Sequence, residues 1–268
     1  MKRCLLTLCL GLGVSAAAAA DFATAVLEAT FKLFHPESTA TCILVRRAAP
    51  DSALYLVTAG HALERMKGDT AVVVLRQARD DGSYERHDQT VTIRRAGQPL
   101  WLRHATQDVA VLRLSETPPV AVAALAAAWL ADERSLKAAG THLCSPLFVL
   151  TFPQRLEANS AGFPVARAGI VSSPLLPVQS QPTFLADFST FAGDSGGPVF
   201  IEGAAGQPLV IGMVIAQFRH DEQVNTEYEE RTIHHPLGLG TVLHAQWVLE
   251  ALEQAAVAAA PPAAPAAP

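Results

Sequence analysis

The chain has 268 residues, a net charge of −5 and 50% hydrophobic residues, a share inflated by alanine. That length suffices for two β-rich halves of about 100–120 residues, each with its own core. The mildly acidic balance gives no basic footprint for nucleic acid, so no nucleic-acid partner is expected.

Residues 1–20 have the pattern of a signal peptide: Lys2-Arg3, a short apolar run over 5–14, and Ala18-Ala19-Ala20 before Asp21. The run is too short to persist as an anchor, and the alanine-rich stretch 120–130 is too short as well. The expectation is an exported protein, periplasmic or secreted, with no membrane anchor once the signal is removed. Cys4 and Cys9 leave with it. Cys42 and Cys144 remain; an oxidising compartment permits their pairing, but sequence does not give their separation.

From Phe22 to Phe34 the apolar spacing is helical at first, and from Thr30 it also fits a strand. Strands follow over 38–45 and 54–58, the second ending at His61. Further strands fit 71–75 and 90–93, with Asp81-Gly82 as a hairpin turn between them. Gln107-Asp108 opens the apolar run 109–114. Pro118-Pro119 then breaks the pattern, and 117–140 reads as a connector with a helical turn near 124–130. Strands resume at 148–152 and 168–172. The turn Gly193-Asp194-Ser195-Gly196-Gly197 precedes the apolar Val199-Phe200-Ile201. A buried strand fits 209–215. The acidic stretch 220–231 reads as a solvated hairpin loop, and Ala245, Val248, Leu249 and Leu252 mark an amphipathic helix. Residues 255–268, alanine and proline after the first few positions, read as a flexible tail. Many short strands without alternating helices make the chain all-β.

Three of these places carry chemistry. A serine hydroxyl is a poor nucleophile until a base accepts its proton. Ser195 lies among glycines that free the backbone, so its Oγ and the N–H groups of Gly193 and Ser195 can face a reacting carbonyl. His61 is the candidate base, since imidazole titrates near neutrality. Asp108 is the candidate carboxylate to orient it. The remaining histidines, including His104, read as surface residues. His234-His235 lacks further ligand spacing, so neither metal nor cofactor is expected.

The motifs Thr58-Ala59-Gly60-His61, Asp108-Val109-Ala110-Val111-Leu112 and Gly193-Asp194-Ser195-Gly196-Gly197-Pro198, in that order, resemble those of the chymotrypsin-like (trypsin fold) serine peptidases of bacterial type. The resemblance implies two six-stranded antiparallel barrels, about 30–116 and 141–243, a helix over 244–254, and a single peptidase domain over 21–254. It implies a His61–Asp108–Ser195 triad, an oxyanion hole from the Gly193 and Ser195 amides, and a protein or peptide substrate. It places Ser189 at the base of the pocket before the scissile bond, with Val214, Ile215, Ala216 and Gln217 as its wall. A serine there rather than an acid, and Gln217 where the family has glycine, imply cleavage after small or medium uncharged residues. Relatives cut by activation hold the counterpart of Asp194 with a new N-terminus; no such cut site is visible, so Asp194 is expected to be held from within the domain. Two rivals remain: a catalytically silent or latent module that binds peptides or envelope partners, and an α/β-hydrolase esterase, whose order of residues and βαβ alternation this chain lacks.

Overall fold

The computed structural model describes residues 21–49, 51, 53–226 and 228–259; the signal-like segment 1–20 and residues 260–268 lie outside them. The first half runs α1 (Phe22–Glu28), β1 (Thr30–His35), β2 (Ser38–Arg46), β3 (Leu54–Thr58), α2 (Gly60–Arg65), β4 (Thr70–Ala78), β5 (Tyr84–Thr92), β6 (Arg94–Arg95), β7 (Gln98–Pro99), β8 (Leu102–Arg103) and β9 (Ala110–Arg113). After β10 (Leu125–Ala126) and α3 (Glu133–Ala138) come β11 (Pro146–Thr151), β12 (Val165–Val171), β13 (Thr183–Asp187), β14 (Pro198–Glu202), β15 (Pro208–Asn225), β16 (Glu230–His244) and α4 (Ala245–Ala259).

The protein is mostly β. Its second half closes into a six-stranded barrel, β11-β12-β13-β16-β15-β14. The first half differs from the barrel expected over about 30–116: it is an eight-stranded sheet in the order β5-β4-β1-β2-β3-β9-β8, with β10 added beside β2, and its end strands do not pair with each other among the described residues. The cause lies in residues 94–103. Ala96 and Gly97 both have positive φ and Pro99 donates no N–H, so this stretch yields only two-residue strands, and β6 and β7 pair with each other alone.

Helix α1 is capped by Asp21, whose carboxylate accepts from the Thr24 N–H at 2.8 Å. The Asp81-Gly82 turn joins β4 to β5 as expected, with Gly82 at φ +80. The acidic stretch beyond Gln217 is not a loop. There β15 and β16 continue as a paired ribbon to Asn225↔Glu230. Hydrogen bonds across it join the two strands: His234 bonds Asp221 at 2.7 Å and His235 bonds Glu222 at 2.8 Å. Helix α4 runs to Ala259, past the expected start of the tail, because alanine prolongs a helix readily. Cys42 is a buried free thiol and Cys144 an exposed one, so they are not bridged.

One core spans both halves. Leu33, Leu44, Leu56 and Leu63 of the first half are fully buried in the same cluster as Leu147, Val199, Ile211 and Leu243 of the barrel. Burial of this kind stabilises by about 25 cal/mol per Å² of apolar surface.

His244, the last residue of β16, is fully buried against the Phe184 ring, and neither ring nitrogen has a partner among the described residues. Burial pushes its pKa down to about 4, with Glu133 pulling weakly the other way. The unfolded chain therefore binds a proton here more readily. This contribution to stability is complete above about pH 6.5, the unperturbed value, and is lost as pH falls toward the folded value. The thermal midpoint of the wild type is expected to fall more between pH 7.5 and 4.5 than that of His244→Leu. Equal falls would refute the assignment.

Candidate active site

His61 enters the site because β3 ends at Thr58 and the chain turns at once into α2. Asp108 comes from the turn between β8 and β9, and Ser195 from the turn before β14, so the site draws on both halves. The structure brings the three together. His61 Nδ1 lies 2.5 Å from Asp108 Oδ2, and His61 Nε2 lies 3.0 Å from Ser195 Oγ. Asp108 Oδ1 also accepts the His61 backbone N–H at 2.9 Å. Burial raises the Asp108 pKa, but its bonds to His61 and the Arg103 guanidinium outweigh this and hold the carboxyl below its ordinary value. Asp108 thus stays ionised where His61 works, and the Nδ1 proton is held toward it, leaving Nε2 free to accept from Ser195.

The Asp108 turn is built by residues that carry no sequence signal. His104 is buried, not on the surface as expected. Its Nδ1 accepts the N–H groups of Thr106 at 3.2 Å and Gln107 at 3.0 Å, and its backbone N–H bonds Val109 O at 3.0 Å. His104 Nε2 faces Glu250 of α4 at 3.4 Å, and its ring meets Trp247 edge-on. Arg103 bonds Gln107 O and lies 2.9 Å from Glu64 and 3.4 Å from Asp108. Arginine and histidine at these positions look like any exposed turn residues until the fold is known.

The nucleophile turn is fixed from several sides. The Ala192 carbonyl accepts the Gln154 N–H at 2.7 Å, and the Ser195 carbonyl accepts the Thr41 N–H at 2.9 Å. The N–H groups of Asp194, Gly196 and Gly197 all bond within the fold, whereas those of Gly193 and Ser195 have no acceptor among the described residues. Because a peptide plane is trans, the Gly193 N–H points opposite to the engaged Ala192 carbonyl. This leaves two amide donors of the nucleophile turn without an acceptor among the described residues. Gly193 has φ +100, and a Cβ there would sit 2.3 Å from Phe152 O; at Gly196, φ +90, it would sit 2.0 Å from Thr41 O.

Asp194 is buried, and the group holding it is Arg167 of β12. Asp194 Oδ2 lies 2.7 Å from the guanidinium and accepts the Phe191 N–H at 2.8 Å. Arg167 also bonds Ser189 O and, at 2.6 Å, Thr151 Oγ1. Asp194 is therefore secured from within the barrel, as expected, by a residue the sequence did not single out.

The expected pocket residues are dispersed around this frame. Val214 is buried and pairs with Gly197, while Ile215, Ala216 and Ser189 are partly or fully exposed. Gln217 Nε2 donates to Thr190 O at 2.8 Å, so its side chain reaches across toward the segment that leads to the nucleophile. A cavity of about 320 Å³ contains Ser195, His61 and Gly193, and none of Ser189, Val214, Ile215, Ala216 and Gln217 lines it.

A base 3.0 Å from a serine hydroxyl, an ionised orienting acid and free amide donors form the elements of acyl transfer. Residues 40–213, more than half of the chain and including all three of these side chains, match the trypsin-like peptidase domain family. No curated protein matches the chain. Among solved structures it is similar to Rv3671c from M. tuberculosis H37Rv, determined as a serine-to-alanine mutant in an inactive form, at 15% identity and a TM-score of 0.52, covering 90% of this chain and 92% of that one. At that identity the likeness concerns the fold. The chain belongs to the trypsin-like peptidase family.

Proposed function

We propose that the protein is an exported serine endopeptidase that works through an acyl-enzyme. Ser195 attacks the scissile carbonyl, and His61 takes its proton and passes it to the departing amine. Asp108 orients His61, and the Gly193 and Ser195 amides hold the oxyanion. The observation that carries this reading is the continuous Asp108–His61–Ser195 contact at 2.5 and 3.0 Å beside two unengaged amides. The first sheet serves in this reading as the partner of the closed barrel, with the substrate lying between them. The signal-like pattern of residues 1–20 supports export.

Cleavage follows small or medium uncharged residues. Ser189 offers no carboxylate to a basic side chain, and the Gln217 amide tethered to Thr190 narrows the approach. Mass-spectrometric mapping of cuts in an unstructured protein substrate tests this. Cuts after alanine, valine or similar residues are expected, lost by at least about 10³-fold in Ser195→Ala. Cuts dominated by arginine or lysine would overturn the preference, and equal cutting by Ser195→Ala would overturn the mechanism.

A further inference from the structure

We infer that the cavity beside Ser195 is a leaving-group-side site for carboxylates, with Arg65 and Arg155 setting the preference. This rests on the peptidase reading, since it is that reading which defines a leaving group. The cavity is bounded by Ala62 and Arg65 of α2, Thr39 at the start of β2, and Arg155 after β11, with Ala192 and Gly193 beside the serine. The segment expected to hold the residues before the scissile bond, Val214 to Gln217, does not line it. It therefore opens on the other side of Ser195, where the departing amine receives the His61 proton and the chain after the scissile bond continues.

The charges of this cavity do not balance. Glu37 also lines it, but its carboxylate already accepts the Lys67 N–H at 3.2 Å and lies 3.7 Å from the Lys67 ammonium. The exposed Arg65 side chain makes no hydrogen bond or ion pair with any described residue. The Arg155 guanidinium donates to the Pro36 carbonyl at 3.2 Å and lies 5.8 Å from the Phe34 ring, with no carboxylate partner among the described residues. Two guanidinium-bearing residues thus line the cavity with no carboxylate partner among the described residues. Guanidinium pairs with carboxylate through two parallel hydrogen bonds, which suits it to this ligand above others.

The carboxylate has two sources: an acidic side chain one to three residues after the cut, or the free C-terminus of a short peptide. Both are tested on the full chain carrying Ser195→Ala, by fluorescence anisotropy. The probes are eight-residue peptides with a randomised N-terminal half and Glu, Ala or Lys in the C-terminal half, each C-amidated or free. Both guanidinium groups are exposed, so the expected effect is modest: about fivefold tighter binding of Glu-amide or Ala-free-acid peptides than of Ala-amide, fading as salt rises from about 50 to about 500 mM. Tighter Glu-amide binding identifies side chains as the source, and tighter free-acid binding identifies termini. Arg65→Lys is expected to retain the preference and Arg65→Glu to reverse it toward Lys peptides. The Arg65 side chain has no partner among the described residues, so this pair remains readable even where Arg155→Ala does not fold. Equal binding of all peptides, tighter binding of Lys peptides to the parent, or a preference that survives Arg65→Glu together with Arg155→Ala would overturn the proposal. The peptidase reading fails separately: the preference then stands in anisotropy while the chain with Ser195 intact cuts nothing.

Discussion

Replacement of Arg167 by methionine is expected to cost about 3–5 kcal/mol of stability and to remove peptidase turnover. The carboxylate of Asp194 is 1% exposed, and Arg167, 2.7 Å away, is its one ionic partner among the described residues. Removing one partner of a buried pair leaves a charge that neither water nor protein answers, and losses of that size are usual. Activity goes with it because Asp194 also ties the turn: its Oδ2 accepts the Phe191 N–H, and its own N–H returns to the Phe191 carbonyl. Once the carboxylate seeks water, the Gly193 and Ser195 amides lose their direction. Urea unfolding gives the stability change from the midpoint at constant slope. The double variant Arg167→Met with Asp194→Asn is expected to recover much of the stability, since no charge is stranded, without recovering turnover. A single variant with the parental midpoint and rate would show that another group holds Asp194.

Asp108→Asn is expected to lower turnover about 10⁴-fold while changing stability far less. The reason lies in the two oxygens of Asp108. Oδ1 accepts the His61 backbone N–H and faces Arg103, while Oδ2 faces His61 Nδ1. Asparagine keeps one acceptor, and two donors claim it at the Oδ1 position. Its NH₂ group then faces Nδ1 and forces that nitrogen to accept. The imidazole proton moves to Nε2, which can no longer take one from Ser195. Rates measured on any peptide cut by the parent decide this. A loss below about tenfold would mean that Asp108 does not set the tautomer.

What sequence reveals here is chemistry attached to strand ends. His61, Asp108 and Ser195 are legible because each stands where an apolar run starts or stops, and because glycines flank the serine. The all-β character and the α1-to-β1 passage are legible through periodicity, whereas the closed barrel is implied only by the family resemblance. The supporting residues are not. Arg167 lies within a strand of alternating burial, and nothing in Val165-Ala166-Arg167-Ala168 tells which face its side chain serves. His104 gains its role only when the 104–109 turn folds around its Nδ1. The ribbon beyond Gln217 is rich in charged residues, and its cross-strand partners, His234 with Asp221 and His235 with Glu222, become apparent only once the two strands are in register. That the end strands of the first sheet do not pair with each other follows from a turn at Ala96-Gly97 that spacing alone does not expose.

The most direct test of the account is labelling of the purified chain with a fluorophosphonate probe, with the adduct mapped by mass spectrometry. The account predicts one adduct, on Ser195, absent in Ser195→Ala and formed at least about 100-fold more slowly in His61→Ala. A folded protein that remains unlabelled, or one labelled at another residue, would contradict an activated serine at this site.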